Sequence, residues 1–289
     1  MQELHSIYNI VTRAREEVNK KVFVWLTFSC ERAIIMRQEK NGMNEKYLRC
    51  DPHVHTGGIS TCCPLEYSQI IDEKVAQGYQ MAVLTNHSQS WYCPPSRHGD
   101  LMQRHLEEFD RAYAYAKERG LRLLLGVEVT VRDPAWTDWL LYGVTENFML
   151  NAPCLYNLTQ KQLFELCKIY GIIMVQAHPF RGHSHIANPQ FAHGIEINCS
   201  SIDVQHKDEI LALAQMHELT VTCGTDYHGG NDFIGGMFVP DWVKTGRDFG
   251  DYLAKTQNTS IFFGSETIQA DTSPQTPEKY GIAYPTREK

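Results

Sequence analysis

The run Asp51-Pro52-His53-Val54-His55-Thr56 sets two imidazoles one residue apart, just after the short stretch Tyr47-Leu48-Arg49-Cys50. If that stretch is a strand, its i and i+2 side chains point to the same side, and both rings reach into one space. Neutral imidazole is a good ligand for zinc, manganese or iron, and carboxylates are natural companions. Further candidates of those types follow along the chain. His87, Glu128, His178, Asp226 and His228 each stand at or just beyond the end of a short apolar run. The chemistry to expect is therefore that of a metal cluster.

The elements that would position these residues alternate from residue 47 onward. Strands are predicted over Tyr47–His53, Met81–Thr85, Leu121–Val129, Asp138–Val144, Ile172–Ala177, Gly194–Asn198, Leu219–Gly224 and Ser260–Phe263. Helical spacing is predicted over Pro64–Gln77, Asp100–Arg119, Thr159–Tyr170, His206–His217 and, more weakly, Arg247–Thr256, with Gly78 and Gly120 as stops and Thr159 as an N-cap. This alternation argues for α/β architecture with a mostly parallel sheet in a single domain. Ligands at the C-terminal ends of strands favour a barrel, where active sites are built on that face. The alternative, an open doubly wound sheet, normally offers a glycine-rich first turn, and Gly57-Gly58 is not one.

The ordered blocks His53-Val54-His55, Leu84-Thr85-Asn86-His87, Gly126-Val127-Glu128, Ala177-His178-Pro179 and Gly224-Thr225-Asp226-Tyr227-His228 resemble the motifs of the PHP (polymerase and histidinol phosphatase) superfamily. The resemblance covers roughly residues 47–265. It implies a distorted (β/α)7 TIM-like barrel holding two or three divalent ions (zinc, manganese or iron) and hydrolysing phosphoesters with metal-activated water. Carried over, His53, His55 and Asp226 hold one metal, Glu128 bridges it to a second that His178 also binds, and His87 and His228 hold a third. Glu128, Asp226 and His178 are thereby the expected catalytic centre.

The sequence departs from the family pattern in three places. Asn86 stands where an aspartate is common before the second-motif histidine. The stretch after His55, Thr56-Gly57-Gly58-Ile59-Ser60-Thr61-Cys62-Cys63, has no carboxylate before Glu66. Completion of the third site then falls to Glu66 or a cysteine. Where some members supply a further histidine to the second metal, Trp139 stands with Asp138 beside it, which makes Asp138 a possible ligand.

Substrate anions need donors near the metals. Arg181, three residues past His178, can present a bidentate fork to phosphate, and His183 and His185 share its loop. Arg97 and His98 follow His87 in the same way, and Trp91 and Tyr92 can wall a pocket there. Asp51 either bonds a ligating imidazole or caps the strand end. Asn198 points toward the same barrel face by position, Glu196 two residues earlier reads as a buried carboxylate behind the ligands, with a structural role the alternative for both, and Trp136, Trp139 and Tyr142 read as core aromatics.

The function expected is hydrolysis of a small phosphomonoester or a nucleotide. The alternatives are an exonuclease acting on nucleic-acid ends and a catalytically silent, metal-stabilised scaffold. A net charge of −7 and the lack of a basic run weigh against long nucleic acid as a partner. Nine cysteines, an odd number scattered through apolar runs, fit a reduced cytoplasmic protein, and Cys62-Cys63 lacks a second pair at zinc-finger spacing. No membrane partner is expected, since Val22–Met36 is broken by Glu31 and Arg32 and too short to span a bilayer. Residues 1–42 read as a helical N-terminal extension, 43–268 as the barrel and 269–289 as a disordered tail.

Overall fold

Strand β1 (Tyr47–Val54) buries six of its last seven residues, the final five without a break, and runs parallel to β2 (Met81–Leu84), in the register Cys50 to Met81. A two-residue strand, β3 (His87–Ser88), continues the line of β2, and both lie parallel on the long β4 (Arg122–Arg132). The sheet then passes to β5 (Trp136–Tyr142), β6 (Ile173–Gln176), β7 (Gly194–Asn198) and β8 (Thr220–Gly224). The computed structural model describes residues 46–182, 185–230, 233–272, 275, 276 and 279, so the expected extension over 1–42 lies outside the described residues.

The sheet closes on itself. Just past β8, Tyr227 pairs with Val54 as a parallel bridge, His55 N donates to Tyr227 O at 2.9 Å, and Tyr227 N donates to His53 O at 3.1 Å. β1, β2, β4, β5, β6, β7 and β8 thus form a distorted TIM-like barrel of seven strands. Asp51 sits inside this seam. Its Oδ1 accepts from Thr225 N and His53 N, and its Oδ2 accepts from Thr225 Oγ1 at 2.5 Å and Lys74 Nζ at 2.8 Å. Asp51 therefore ties strand to strand and bonds no ligating imidazole.

Two features correct the mostly parallel sheet. β5 is antiparallel to both β4 and β6, because only residues 133–135 separate it from β4, too few for a crossover helix. The N-terminal half of β5, carrying Asp138, consequently lies at the face where the other strands end. Outside the ring, β9 (Gly235–Pro240), β10 (Asn258–Phe263) and β11 (Glu266–Asp271) form an antiparallel ribbon on the first half of β1. Gln269, Ala270 and Asp271 belong to that ribbon, where β11 pairs with β10 and buries Ala270, so order extends beyond the expected barrel end at 268.

Among the described residues six α-helices cover the strands: α1 (Tyr67–Ala76), α2 (His98–Glu118), α3 (Glu146–Asn151), α4 (Gln160–Tyr170), α5 (Lys207–His217) and α6 (Gly246–Lys255). Their limits follow local chemistry. Thr159 caps α4 by accepting from Gln162 N while Gln162 Oε1 accepts from Thr159 N, and Gly171 ends it at φ +62°. α1 begins three residues later than the apolar spacing predicts, because Glu66 takes the N-cap and Gln69 Oε1 accepts its N–H. The core holds Leu124, Trp139, Leu140, Tyr142 and Phe148, with Phe249 set edge-on to Tyr142. Among the described residues no helix is long and apolar enough to cross a membrane.

Candidate metal centre

At the end of β1, His53 and His55 project to one side with ring centroids 5.1 Å apart. Glu128 enters from β4, and Asp226 from the turn after β8. His53 Nε2 lies 3.2 Å from Asp226 Oδ1 and 3.5 Å from Glu128 Oε2, and His55 Nε2 lies 2.9 Å and 3.3 Å from the same two oxygens. All four side chains are buried. His53 Nε2, His55 Nε2, Glu128 Oε2 and Asp226 Oδ1 nevertheless make no hydrogen bond. Four buried polar atoms that converge without bonding one another are costly unless a further group satisfies them. Two imidazole lone pairs and two carboxylate oxygens are the donor set a divalent transition ion takes.

Two more donor groups share these residues. Glu128 Oε1 lies 3.2 Å from His178 Nε2, and Asp138 Oδ2 lies 3.8 Å from that nitrogen. Asp138 is held by Thr130, whose hydroxyl donates to Oδ1 at 2.6 Å from the paired position on β4. On the other side, His55 stacks between His87 at 4.4 Å and His228 at 4.3 Å, and His87 Nδ1 lies 2.8 Å from Glu128 Oε2. Among the described residues, three groups could thus hold an ion: His53, His55, Glu128 and Asp226; Glu128, Asp138 and His178; and His55, His87 and His228. Glu128 belongs to two of them.

The cluster is electrostatically polarised. Burial raises the Glu128 carboxyl, but His87 and His53 outweigh it and hold it well below the usual carboxylate range. Asp226 is likewise raised by burial and brought well below its usual range by His53, His55 and Arg181. Burial, with His228 and His87 as like charges, lowers His55 well below an ordinary histidine, which leaves it a neutral lone-pair donor. Asp138 is raised by burial and by Glu128. Burial also raises the Cys62 thiol, but hydrogen bonds with His228 and His87 bring it down to about 6.

Supporting contacts fix the rings. His53 Nδ1 donates to Glu196 Oε1 at 2.9 Å, and Glu196 Oε2 accepts from His178 N and Asn198 Nδ2 at 3.1 Å each. His55 Nδ1 donates to Ser60 Oγ, which in turn donates to Asn86 Oδ1 at 2.9 Å. Asn86 Nδ2 donates to Thr56 Oγ1, and that hydroxyl donates to the buried Glu108 of α2. Asn86 thus performs an orienting role through its amide. His178 and Asp226 both sit at positive φ, 28° and 51°, a conformation that non-glycine residues adopt at a cost and that clusters at functional sites.

Arg181 reaches the centre: its guanidinium pairs with Asp226 Oδ2 while the side chain stays 41% exposed. His185 does not join the cluster. Its two ring nitrogens are buried without a hydrogen bond, and burial lowers it below an ordinary histidine. His183 lies outside the described residues. Arg97 and His98 turn away, Arg97 to Asp100 in solvent and His98 against Tyr156. Trp136 stacks on Trp91 at 4.4 Å instead of joining the core, and Tyr92 meets the edge of His87. Glu66 caps α1 and stands in none of the donor groups. Ser60 and Thr130 carry no signal in sequence beyond their spacing from His55 and Glu128.

No family model and no curated protein matches the sequence. Solved structures do share the fold. A two-domain protein from Bacteroides vulgatus ATCC 8482, described as containing a PHP-like metal-dependent phosphoesterase, aligns with a TM-score of 0.53 and 20% identity over 76% of this chain. The match takes in 65% of that protein, so this chain spans less than two thirds of its length. PsfC from Pseudomonas syringae PB-5123 aligns with a TM-score of 0.55 and 19% identity, over 77% of this chain and 93% of its own. At these identities the likeness to both proteins is one of fold.

Proposed function

We propose that this barrel is a metal-dependent phosphoric ester hydrolase acting on a small phosphomonoester or a nucleotide. The observation that carries the reading is the position of Glu128, whose Oε2 faces His53, His55 and His87 while its Oε1 faces His178. One carboxylate shared by two donor groups supports a hydrolase that works with paired metals.

His53, His55, Glu128 and Asp226 would hold one ion, Glu128, His178 and Asp138 a second, and His87 and His228 a third, with zinc, manganese and iron all suited to this donor set. Bound there, such ions would lower the pKa of water toward neutrality and offset charge on a phosphoryl oxygen. The chain supplies the rest. Arg181, anchored on Asp226 yet open to solvent, offers a planar fork to the substrate's phosphate. Glu196 and Ser60 hold the Nδ1 protons of His53 and His55, so that the Nε2 lone pairs face the centre.

The test is metal content of protein purified without chelator, followed by phosphate release from a panel of sugar phosphates, nucleotides and short oligonucleotides. Wild type is expected to retain or take up at least two ions per chain and release phosphate from small esters, and Glu128→Ala to lose both. Release from oligonucleotide ends alone would replace the substrate reading with an exonuclease. Metal without any hydrolysis would leave a scaffold.

A further inference from the structure

We propose that Cys62 is a metal ligand whose thiolate completes a site with His87 and His228. The proposal rests on the metal-dependent reading above and assigns a sulfur donor to its third group.

His228 Nδ1 lies 2.9 Å from the backbone oxygen of Asp226. A carbonyl can only accept, so Nδ1 carries a proton and Nε2 is the nitrogen whose lone pair an ion would take. That lone pair meets Cys62 Sγ at 3.0 Å. An S–H facing an imidazole lone pair is an arrangement in which an ion can take the place of the proton, which then leaves to solvent. On tetrahedral zinc, bonds of ~2.0 Å to nitrogen and ~2.3 Å to sulfur put the two donors about 3.5 Å apart. The observed spacing is within roughly half an ångström of that.

His55 is also a member of the first group, with His53, Glu128 and Asp226. Its Nδ1 proton goes to Ser60, whose own hydroxyl proton goes to Asn86, and its Nε2 faces Glu128 and Asp226. The His87–His228 pair therefore needs another donor. Glu66 is taken by the N-cap of α1. Cys62 is in place, and Tyr92 donates its hydroxyl to Sγ at 3.2 Å, a contact that steadies a thiolate as well as a thiol. Buried, unbonded atoms also face this group: Glu128 Oε2, wholly buried, lies 2.8 Å from His87 Nδ1, and neither makes a hydrogen bond. Neighbouring Cys63 points elsewhere, toward the backbone oxygens of His55, Leu65 and His228. A thiolate makes this site softer than the two carboxylate-bearing groups, so it selects zinc or cobalt over manganese.

Cobalt(II) loading of the full chain reads the ligand directly. Wild type is expected to show a sulfur-to-cobalt charge-transfer band in the near ultraviolet, Cys62→Ala to lose it together with one equivalent of bound cobalt, and Cys63→Ala to keep it. A second measurement needs no variant: zinc should slow alkylation of Cys62 by iodoacetamide, read by peptide mass spectrometry, by about tenfold or more. Cobalt bound without the band, a band that survives in Cys62→Ala, or alkylation indifferent to zinc overturns the proposal and leaves the hydrolase reading standing. A chain that takes up no cobalt overturns both.

Discussion

The carboxylate of Glu196 holds the Nδ1 edge of His53 at 2.9 Å from the neighbouring side of the barrel, although 143 residues separate the two in the chain. Its other oxygen accepts the backbone N–H of His178, in the left-handed turn that brings that ring inward. Glu196 thus sets two donors of different groups without belonging to either. Glu196→Gln keeps an acceptor and the volume but removes the charge that favours a donating His53. Changes of this kind to a ligand's partner typically cost about 10–100-fold in metal affinity. Competition with a chromophoric chelator should show that loss while far-ultraviolet circular dichroism stays unchanged. Unaltered affinity would reduce Glu196 to a packing residue.

Gly224, the last residue of β8, leaves room for both of those side chains. A Cβ there would stand 2.6 Å from His53 Cβ and 2.8 Å from Glu196 Oε1, inside a buried seam that cannot move aside. Gly224→Ala should therefore destabilise the fold by about 1–3 kcal/mol, as overpacking does, and weaken metal binding at the same time. Gly99, in the first turn of α2, has nothing within 4 Å of such a Cβ. Gly99→Ala is the control, expected to stabilise by about 0.4–1 kcal/mol because alanine narrows the unfolded ensemble. Urea melts of the two variants should move in opposite directions.

Much of the centre was legible because a strand alternates with period two and barrel ligands gather at strand ends. His53 and His55 could be paired by spacing alone, and Glu128, His178, Asp226 and His228 each follow an apolar run. What the sequence hides is direction and distance. Nothing in Trp136–Tyr142 says that β5 runs backwards, yet that reversal carries Asp138 to the face where Glu128 and His178 meet. Asp51 reads as a neighbour of the histidines, but Lys74 from α1 and Thr225 just past β8, remote in sequence, claim its oxygens. Arg97 and His98 follow a histidine of the cluster as Arg181 does, and only Arg181 turns inward, because Asp226 stands across from it to receive the charge.

Lys74 is wholly buried, and its ammonium bonds Asp51, Gln77 and Thr225 while lying 3.5 Å over the Tyr227 ring. It links α1 to the seam where β8 meets β1, directly behind the histidines. Lys74→Met keeps most of the volume but leaves the Asp51 carboxylate buried without its cation. Breaking a buried pair from one side costs about 3–5 kcal/mol. The urea midpoint should fall accordingly, and adding zinc should recover part of the loss, since ligands that bind only the folded state stabilise it. A midpoint unchanged from wild type would show that Thr225 and the backbone donors suffice for Asp51.

His193 supplies a pH dependence away from the metal centre. Its ring is buried between Met174 N, which donates to Nδ1 at 3.1 Å, and Lys279 O, which accepts from Nε2 at 2.7 Å. Burial pushes it down to about 3, so it folds neutral. Once unfolded, the ring has an ordinary value near ~6.5 and takes up a proton below it. Unfolding therefore absorbs a proton between those two limits, and stability falls as the pH is lowered through them, by up to about 1.4 kcal/mol per pH unit for this one group. His105, also buried and pushed down to about 3, adds a second such proton. His193→Gln can keep an acceptor and a donor but cannot titrate. Its stability should fall less steeply than wild type between pH 6 and pH 4, by close to one proton in the slope. Parallel slopes in urea melts of the two proteins would mean that His193 is protonated in the folded state across that range.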